Sequence, residues 1–292
     1  MSAPERAPAV ARRMWRALET LHMTVYWAPE PREAYRRAGL RGGWMGYFAS
    51  RSAAMGPVPA EVVMATFHNF HPRMVRRAIP DAWGFASPER VLAARLEGAD
   101  AALRRLLGGW AGGPEAAEAA ALARQAIEGQ DPAGRPLFAA HAALPWPDAP
   151  HLALWQAATL YRELRGDGHV ACLVADDVGG LEAHVLAAGA GQLPGSFLRE
   201  YRGWSEEEWA AGVARLGARG WVAEDGSLTA AGRAARDARE RRTDELSAAP
   251  WARLGPGGCD RLLALLDEPV RLVVEGGGIP FPNPVGLPPP SA

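Results

Sequence analysis

At 292 residues with 48% hydrophobic side chains, the chain is long enough for one large domain or two ordinary ones with buried cores. Its formal charge of −1 and isoelectric point near 6.7 exclude a global positive field, so attraction to nucleic acid or an anionic membrane would need a local patch. All 32 basic side chains are arginine, which excludes lysine Schiff-base chemistry.

Residues 1–14 carry Arg12 and Arg13 with no apolar segment of signal-peptide type after them, and no apolar run is long enough to span a bilayer. The expectation is a cytoplasmic protein with no membrane partner. Helical periodicity between Gly and Pro punctuation predicts helices over 8–26, 31–38, 43–55, 59–70, 72–79 and 87–107. In the first of these Glu19, His22 and Tyr26 fall at i, i+3 and i+7, a spacing that puts a carboxylate, an imidazole and a phenol on one face, either as a proton-moving row or as a satisfied buried histidine. Trp44, Tyr47, Phe48 and Arg51 make a second stripe, with Arg51 placed to pair with a carboxylate of the protein or of a ligand. Phe67, His68, Phe70 and His71 add aromatic and imidazole groups to the same half. His68 and His71 lack the further ligand a zinc site needs, so no metal is expected and no cofactor is predicted.

An alanine-rich helix follows over 114–128, and 129–150, with five prolines, has the composition of a linker that packs down through Leu137, Phe138 and Trp146. The second half is expected to form helices over 151–164, 168–176, 180–188, 194–202, 205–219, 229–248 and 257–268, with 276–292 as an extended tail. Between the first two of these, Arg165-Gly166-Asp167-Gly168-His169 reads as a helix break with Asp167 capping the next helix, or as a site in which Asp167 and His169 face a cleft opposite His22. Cys172 and Cys259 form no metal pattern and read as core thiols; thiol chemistry would have to pair Cys172 with His169. Ser205 with Glu206, Glu207 and Glu208 is a helix N-cap, Gly220 a stop, and Trp221-Val222-Ala223 and Leu228-Thr229 the arms of a short hairpin.

Landmarks recur between the halves: Trp15 with Trp155 and Gly39 with Gly179 lie 140 residues apart, and Trp83 with Trp221 lie 138 apart. The expected fold is therefore mainly α, with two winged-helix-like units in tandem, 1–128 and 151–275, forming an intramolecular pseudo-dimer with short β-hairpin wings. The run Gly203-Trp204-Ser205 through Trp221-Val222, then Asp225-Gly226 and Leu228 through Arg233, resembles the end of a MarR-type winged helix. Through Arg165-Gly166-Asp167-Gly168-His169 and Gly46-Tyr47-Phe48-Ala49-Ser50-Arg51 the whole chain looks like a bacterial family of helix-turn-helix proteins. That resemblance implies a fold and no reaction.

A DNA-reading winged helix needs donors on the helix before its wing. Between Trp204 and Leu228 five acids face two arginines, a net of −3 where phosphate contacts would supply affinity, so DNA binding is disfavoured. The first half carries Arg73, Arg76 and Arg77 on a short helix. No dinucleotide, nucleotide-triphosphate or serine-hydrolase motif is present. The sequence points to a protein holding an apolar or planar small molecule between its halves; the alternatives are cofactor-independent acid–base catalysis in the same cleft and a DNA-binding regulator.

Overall fold

The computed structural model describes residues 3–289. The first half contains α1 (Ala3–His22), α2 (Thr24–Trp27), α3 (Pro29–Ala38), α4 (Gly42–Ser52), α5 (Ala60–Phe67), α6 (Pro72–Arg76), α7 (Ala82–Phe85), α8 (Pro88–Leu107) and α9 (Pro114–Ile127). Then come α10 (Pro136–Ala142), α11 (Pro150–Ala175), α12 (Gly180–Gly189), α13 (Gly195–Arg202), α14 (Glu206–Ala218), α15 (Ala230–Leu246) and α16 (Ala249–Glu275). The molecule is mainly helical, and among the described residues no helix is long and apolar enough to cross a membrane.

Three apolar cores organise these helices. The largest gathers α1, α9, α11 and α16 around Leu18, Ile127, Trp155, Tyr161 and Leu262, and the non-helical segment after α16 adds Ile279 and Leu287 to it. The first helix therefore meets the last two: α1 packs on α11, α15 and α16. The second core lies among α3 to α8, with Phe48, Val63 and Ile79 at its centre. The third joins Leu173 at the end of α11 to Leu181, Val185, Leu216, Val222 and Leu228.

Beside the third core, α13, a short turn and α14 follow one another. α13 ends at Gly203, whose φ of 78° is the left-handed conformation that glycine adopts without steric cost, and Trp204-Ser205 complete a short turn into α14. Ser205 caps α14 as its sequence indicates: its side chain accepts from the Glu208 amide, and the Glu208 carboxylate accepts from the Ser205 amide at 2.8 Å. Gly220 then turns the chain at φ 69°. The hairpin expected beyond it is reduced to a single antiparallel bridge between Val222 and Leu228, without strands.

Two expectations are corrected. The segment 165–169 does not break a helix; α11 runs through Gly166 and Gly168, because it is buried on most sides and packing outweighs the small helix propensity of two glycines. Asp167 does cap a helix, but a different one: its Oδ2 accepts from the Phe138 amide at the start of α10 at 2.9 Å. Of the recurring landmarks, Trp15 and Trp155 both lie in helices of the largest core, whereas Gly39 closes α3 with φ 104° and Gly179 precedes α12 in extended conformation. Of the expected tail, 290–292 lie outside the described residues.

Candidate functional site

Two hollows lie side by side where the second core, α11 and α13 converge. The first is a cleft of about 560 Å³ walled by Tyr26, Trp27, Tyr35, Trp44, Tyr47 and Tyr201. The second is a groove of about 550 Å³ bordered by Arg51, Phe67, His68, Phe70, Glu163 and His169. Arg162, Arg202, Tyr47, Pro284 and Val285 border both, so the segment after α16 closes the seam between them.

The cleft wall comes from the aromatic spacing of α2 and α4. Tyr26 and Tyr47 lie 5.0 Å apart, Trp44 meets Tyr47 edge-on at 5.7 Å, and Trp44 reaches across to Tyr201 of α13 at 5.1 Å. Phe48 lies one position behind this wall, fully buried in the second core. His22 is also fully buried, and its hydrogen bonds fix its tautomer. The Thr159 hydroxyl donates to the Trp155 carbonyl at 3.0 Å, so its oxygen accepts from His22 Nδ1–H at 3.0 Å. Nε2 is thus an acceptor, and Tyr26 donates to it at 2.9 Å. Burial drives His22 well below the usual imidazole pKa.

The chain Tyr26–His22–Thr159 ends on a backbone carbonyl, which cannot take a proton; it orients the Tyr26 ring and conducts nothing. Glu19 does not join it. That carboxylate turns to Arg162 Nε at 3.2 Å, and its second oxygen has no hydrogen-bond partner among the described residues. The proton-moving row suggested by the 19, 22, 26 spacing is therefore absent.

Arg51 does find a carboxylate, the protein's own. Its Nη2 donates to Glu163 at 2.9 Å, its Nη1 donates to the Tyr47 oxygen at 3.0 Å, and its guanidinium lies 4.1 Å above the Phe67 ring. Burial alone would raise Glu163, yet Arg51 and Arg162 hold it down at about 2. Since Tyr47 accepts from Arg51, its hydroxyl proton remains to donate into the cleft.

Arg202, which the sequence reading passed over, differs from the other buried cations of the site. It is 6% exposed, it lies 4.1 Å over Phe70, and among the described residues it forms no ion pair and its Nε has no partner. Burial lowers its pKa, with Tyr47 and Tyr201 acting in the opposite direction. Among the described residues no carboxylate borders the cleft, whose wall also includes Arg32, Arg36 and Arg162. Neither Arg162 nor Arg202 stands in a sequence motif, and their environments are assembled from segments far apart in the chain.

His68 and His71 tie the first half to the second. His68 Nε2 lies 3.0 Å from the Val178 carbonyl, His71 Nε2 lies 2.9 Å from Glu208 of α14, and the His71 amide donates to the Arg202 carbonyl at 3.2 Å. His184 joins them at 2.9 Å from the Asn69 carbonyl. His68 and His71 thus serve separate contacts and converge on nothing. His169 Nδ1 lies 3.0 Å from the Thr243 hydroxyl, and Cys172 is a buried free thiol. Asp167 lies away from the cleft, its carboxyl pushed up to about 6 by burial against the backbone hydrogen bonds from Phe138 and Leu137.

The helix before the bridge offers little to DNA. The exposed side of α14 presents Glu206, Glu207, Ala210, Ala211 and Ala214, and its one exposed cation before the cap, Arg215, is engaged by Glu182 at 2.5 Å. On α6, Arg76 lies 3.4 Å from Glu61 and Arg73 3.9 Å from Glu208.

A family model described as a helix-turn-helix family matches residues 11–280, nearly the whole chain. No curated protein and no solved structure matches it.

Proposed function

The chain belongs to this helix-turn-helix family, and we propose that within it the protein binds a planar small molecule in the cleft between the aromatic wall of α2 to α4 and α13, the leading helix of its helix-turn-helix. The observation that carries this reading is that six aromatic side chains border about 560 Å³ that they do not fill. A volume of that size suits a drug-sized ligand. Tyr201 and Arg202 stand on α13 itself, so an occupant would touch the helix-turn-helix directly, which suits a sensor or a carrier.

The segment from Gly195 to Thr229 fits descent from a MarR-like winged helix whose wing has shrunk to one bridge. Tryptophan fluorescence tests the binding. Titration with a panel of bicyclic and tricyclic planar compounds should quench emission saturably through Trp27 and Trp44, and Trp44→Ala should weaken binding about tenfold, the cost of one aromatic contact of about 1.4 kcal/mol. A panel that leaves the emission unchanged would sink the proposal.

DNA-binding regulation is the second reading, favoured by family membership. It requires salt-sensitive duplex binding that weakens when Arg73, Arg76 or Arg77 is replaced by Ala. The acidic and alanine-rich face of α14 argues that no such binding will appear at physiological salt.

A further inference from the structure

We infer that the occupant of the cleft is an anion, a planar ring system bearing one carboxylate that Arg202 receives; the inference rests on the binding function proposed above. A guanidinium withdrawn from water without a counter-charge is unfavourable, and buried charges in folded proteins are normally paired. Every other strongly buried cation bordering the two hollows has its acid: Arg51 has Glu163 at 2.9 Å, Arg162 has Glu19 at 3.2 Å, and Arg165 has Asp244 at 3.1 Å. Arg202 has none among the described residues, although it is 6% exposed. It has instead a ring on one side, Phe70 at 4.1 Å, and the two hollows at its edge.

The rest of the wall agrees in sign. Among the described residues no carboxylate borders the cleft and Arg32 stands exposed at the rim without an ion pair, and the Tyr47 hydroxyl is left as a donor by its bond from Arg51. Donors thus dominate the wall's side chains, and the aromatic faces beside them suit a flat ring. One unpaired buried guanidinium on the wall matches one negative charge, which favours a carboxylate over a phosphate dianion; Arg95, also buried without an acid among the described residues, borders neither hollow. Burial also lowers the proton affinity of Arg202, the condition that a bound anion would relieve.

A matched pair of probes separates this inference from the reading beneath it. Naphthalene-2-carboxylate and naphthalene-2-carboxamide have nearly the same shape and differ by one charge. Calorimetric titration of the wild-type chain should give a dissociation constant at least about tenfold lower for the carboxylate, because hydrogen bonds to an ionised acceptor are roughly twice as strong as neutral ones. Arg202→Gln should bring the carboxylate to the level of the amide and leave the amide unchanged, while Arg202→Lys should keep part of the preference. Arg202→Gln removes an unpaired buried charge, so its melting temperature should not fall, and circular dichroism checks that it is folded. Equal binding of the two probes overturns the anion inference and leaves the cleft reading standing. A preference for the carboxylate that survives Arg202→Gln also overturns it, by assigning the charge recognition elsewhere. Binding of neither probe overturns both.

Discussion

Arg51 and Glu163 stand 112 positions apart in the chain and form a closely paired buried ion pair, with Glu163 fully enclosed. Arg51→Met should therefore cost about 3 kcal/mol, the lower end for removing one side of a buried pair, because Arg162 still neutralises Glu163 in part. Urea denaturation measures it, and a loss below about 1 kcal/mol would contradict the assignment. Arg36, exposed and bridged to Glu33 within its own helix, is the control and should show little effect. Histidine protonation gives a second prediction. Burial pushes His141 to about 3, His169 to about 4 and His184 to about 3, and drives His22 well below its ordinary value. These folded values lie below the unfolded one near 6.5, so the stability that the neutral rings contribute is complete above that pH and is lost as pH falls from about 6.5 toward the folded values. Asp167 works in the opposite sense, being raised to about 6, so its share is present below about 3.9 and lost as pH rises through 6. Four histidines outweigh one aspartate, and the urea midpoint should drop steadily from pH 6.5 to 5; a flat profile would mean that the imidazoles are accessible. At this scale the sequence was legible in part. Of the 44, 47, 48, 51 stripe, Trp44 and Tyr47 line the cleft, Phe48 is buried behind it and Arg51 pairs with a carboxylate of the protein. The identity of the carboxylate, and the isolation of Arg202, depend on which distant segments meet, and no local pattern records that.

Close backbone crossings define the elements, and glycines mark two of them. A Cβ on Gly98 of α8 would stand 2.5 Å from Pro31 Cα of α3, and one on Gly180, at the start of α12, would run into the His68 carbonyl and stand 2.8 Å from Asn69 Cα. Gly98→Ala and Gly180→Ala should each cost about 1–3 kcal/mol by overpacking despite alanine's better helix propensity. Gly84→Ala, with nothing within 4 Å, should be neutral in the same thermal melts. If Gly180→Ala melts like the wild type, α12 does not dock on the 67–71 loop as described. Helix existence was readable along most of the chain because Pro, Gly and Ser mark the starts and stops physically, as Ser205 and Gly220 do for α14. The failures have physical causes too. α11 crosses two glycines because its burial supplies what propensity withholds, and the hairpin 221–229 has turn residues suited to a wing but too few flanking residues to build a ladder.

On the scale of the whole molecule, the third core gathers the end of α11, α12, α14 and the 222–228 bridge, and His68, His71 and His184 fasten this region to the first half. This fastening turns the leading helix α13 toward an aromatic cleft and leaves α14 with an acidic, alanine-rich exterior. The sequence anticipated the helical class, the helix-turn-helix family and the aromatic first half. It did not reveal that α1 packs on α15 and α16, since contacts between the two ends of a chain leave no periodic trace. The central claim is that the cleft holds a planar small molecule, and Gly43 offers a way to close that cleft alone. Gly43 borders it, and a Cβ there would meet nothing within 4 Å, so Gly43→Leu should fill space without disturbing the fold. Native mass spectrometry of the wild-type chain and Gly43→Leu against the planar panel is the most direct measurement. The account predicts one ligand retained per wild-type chain and none by the folded variant; retention by neither protein, or equal retention by both, would contradict it.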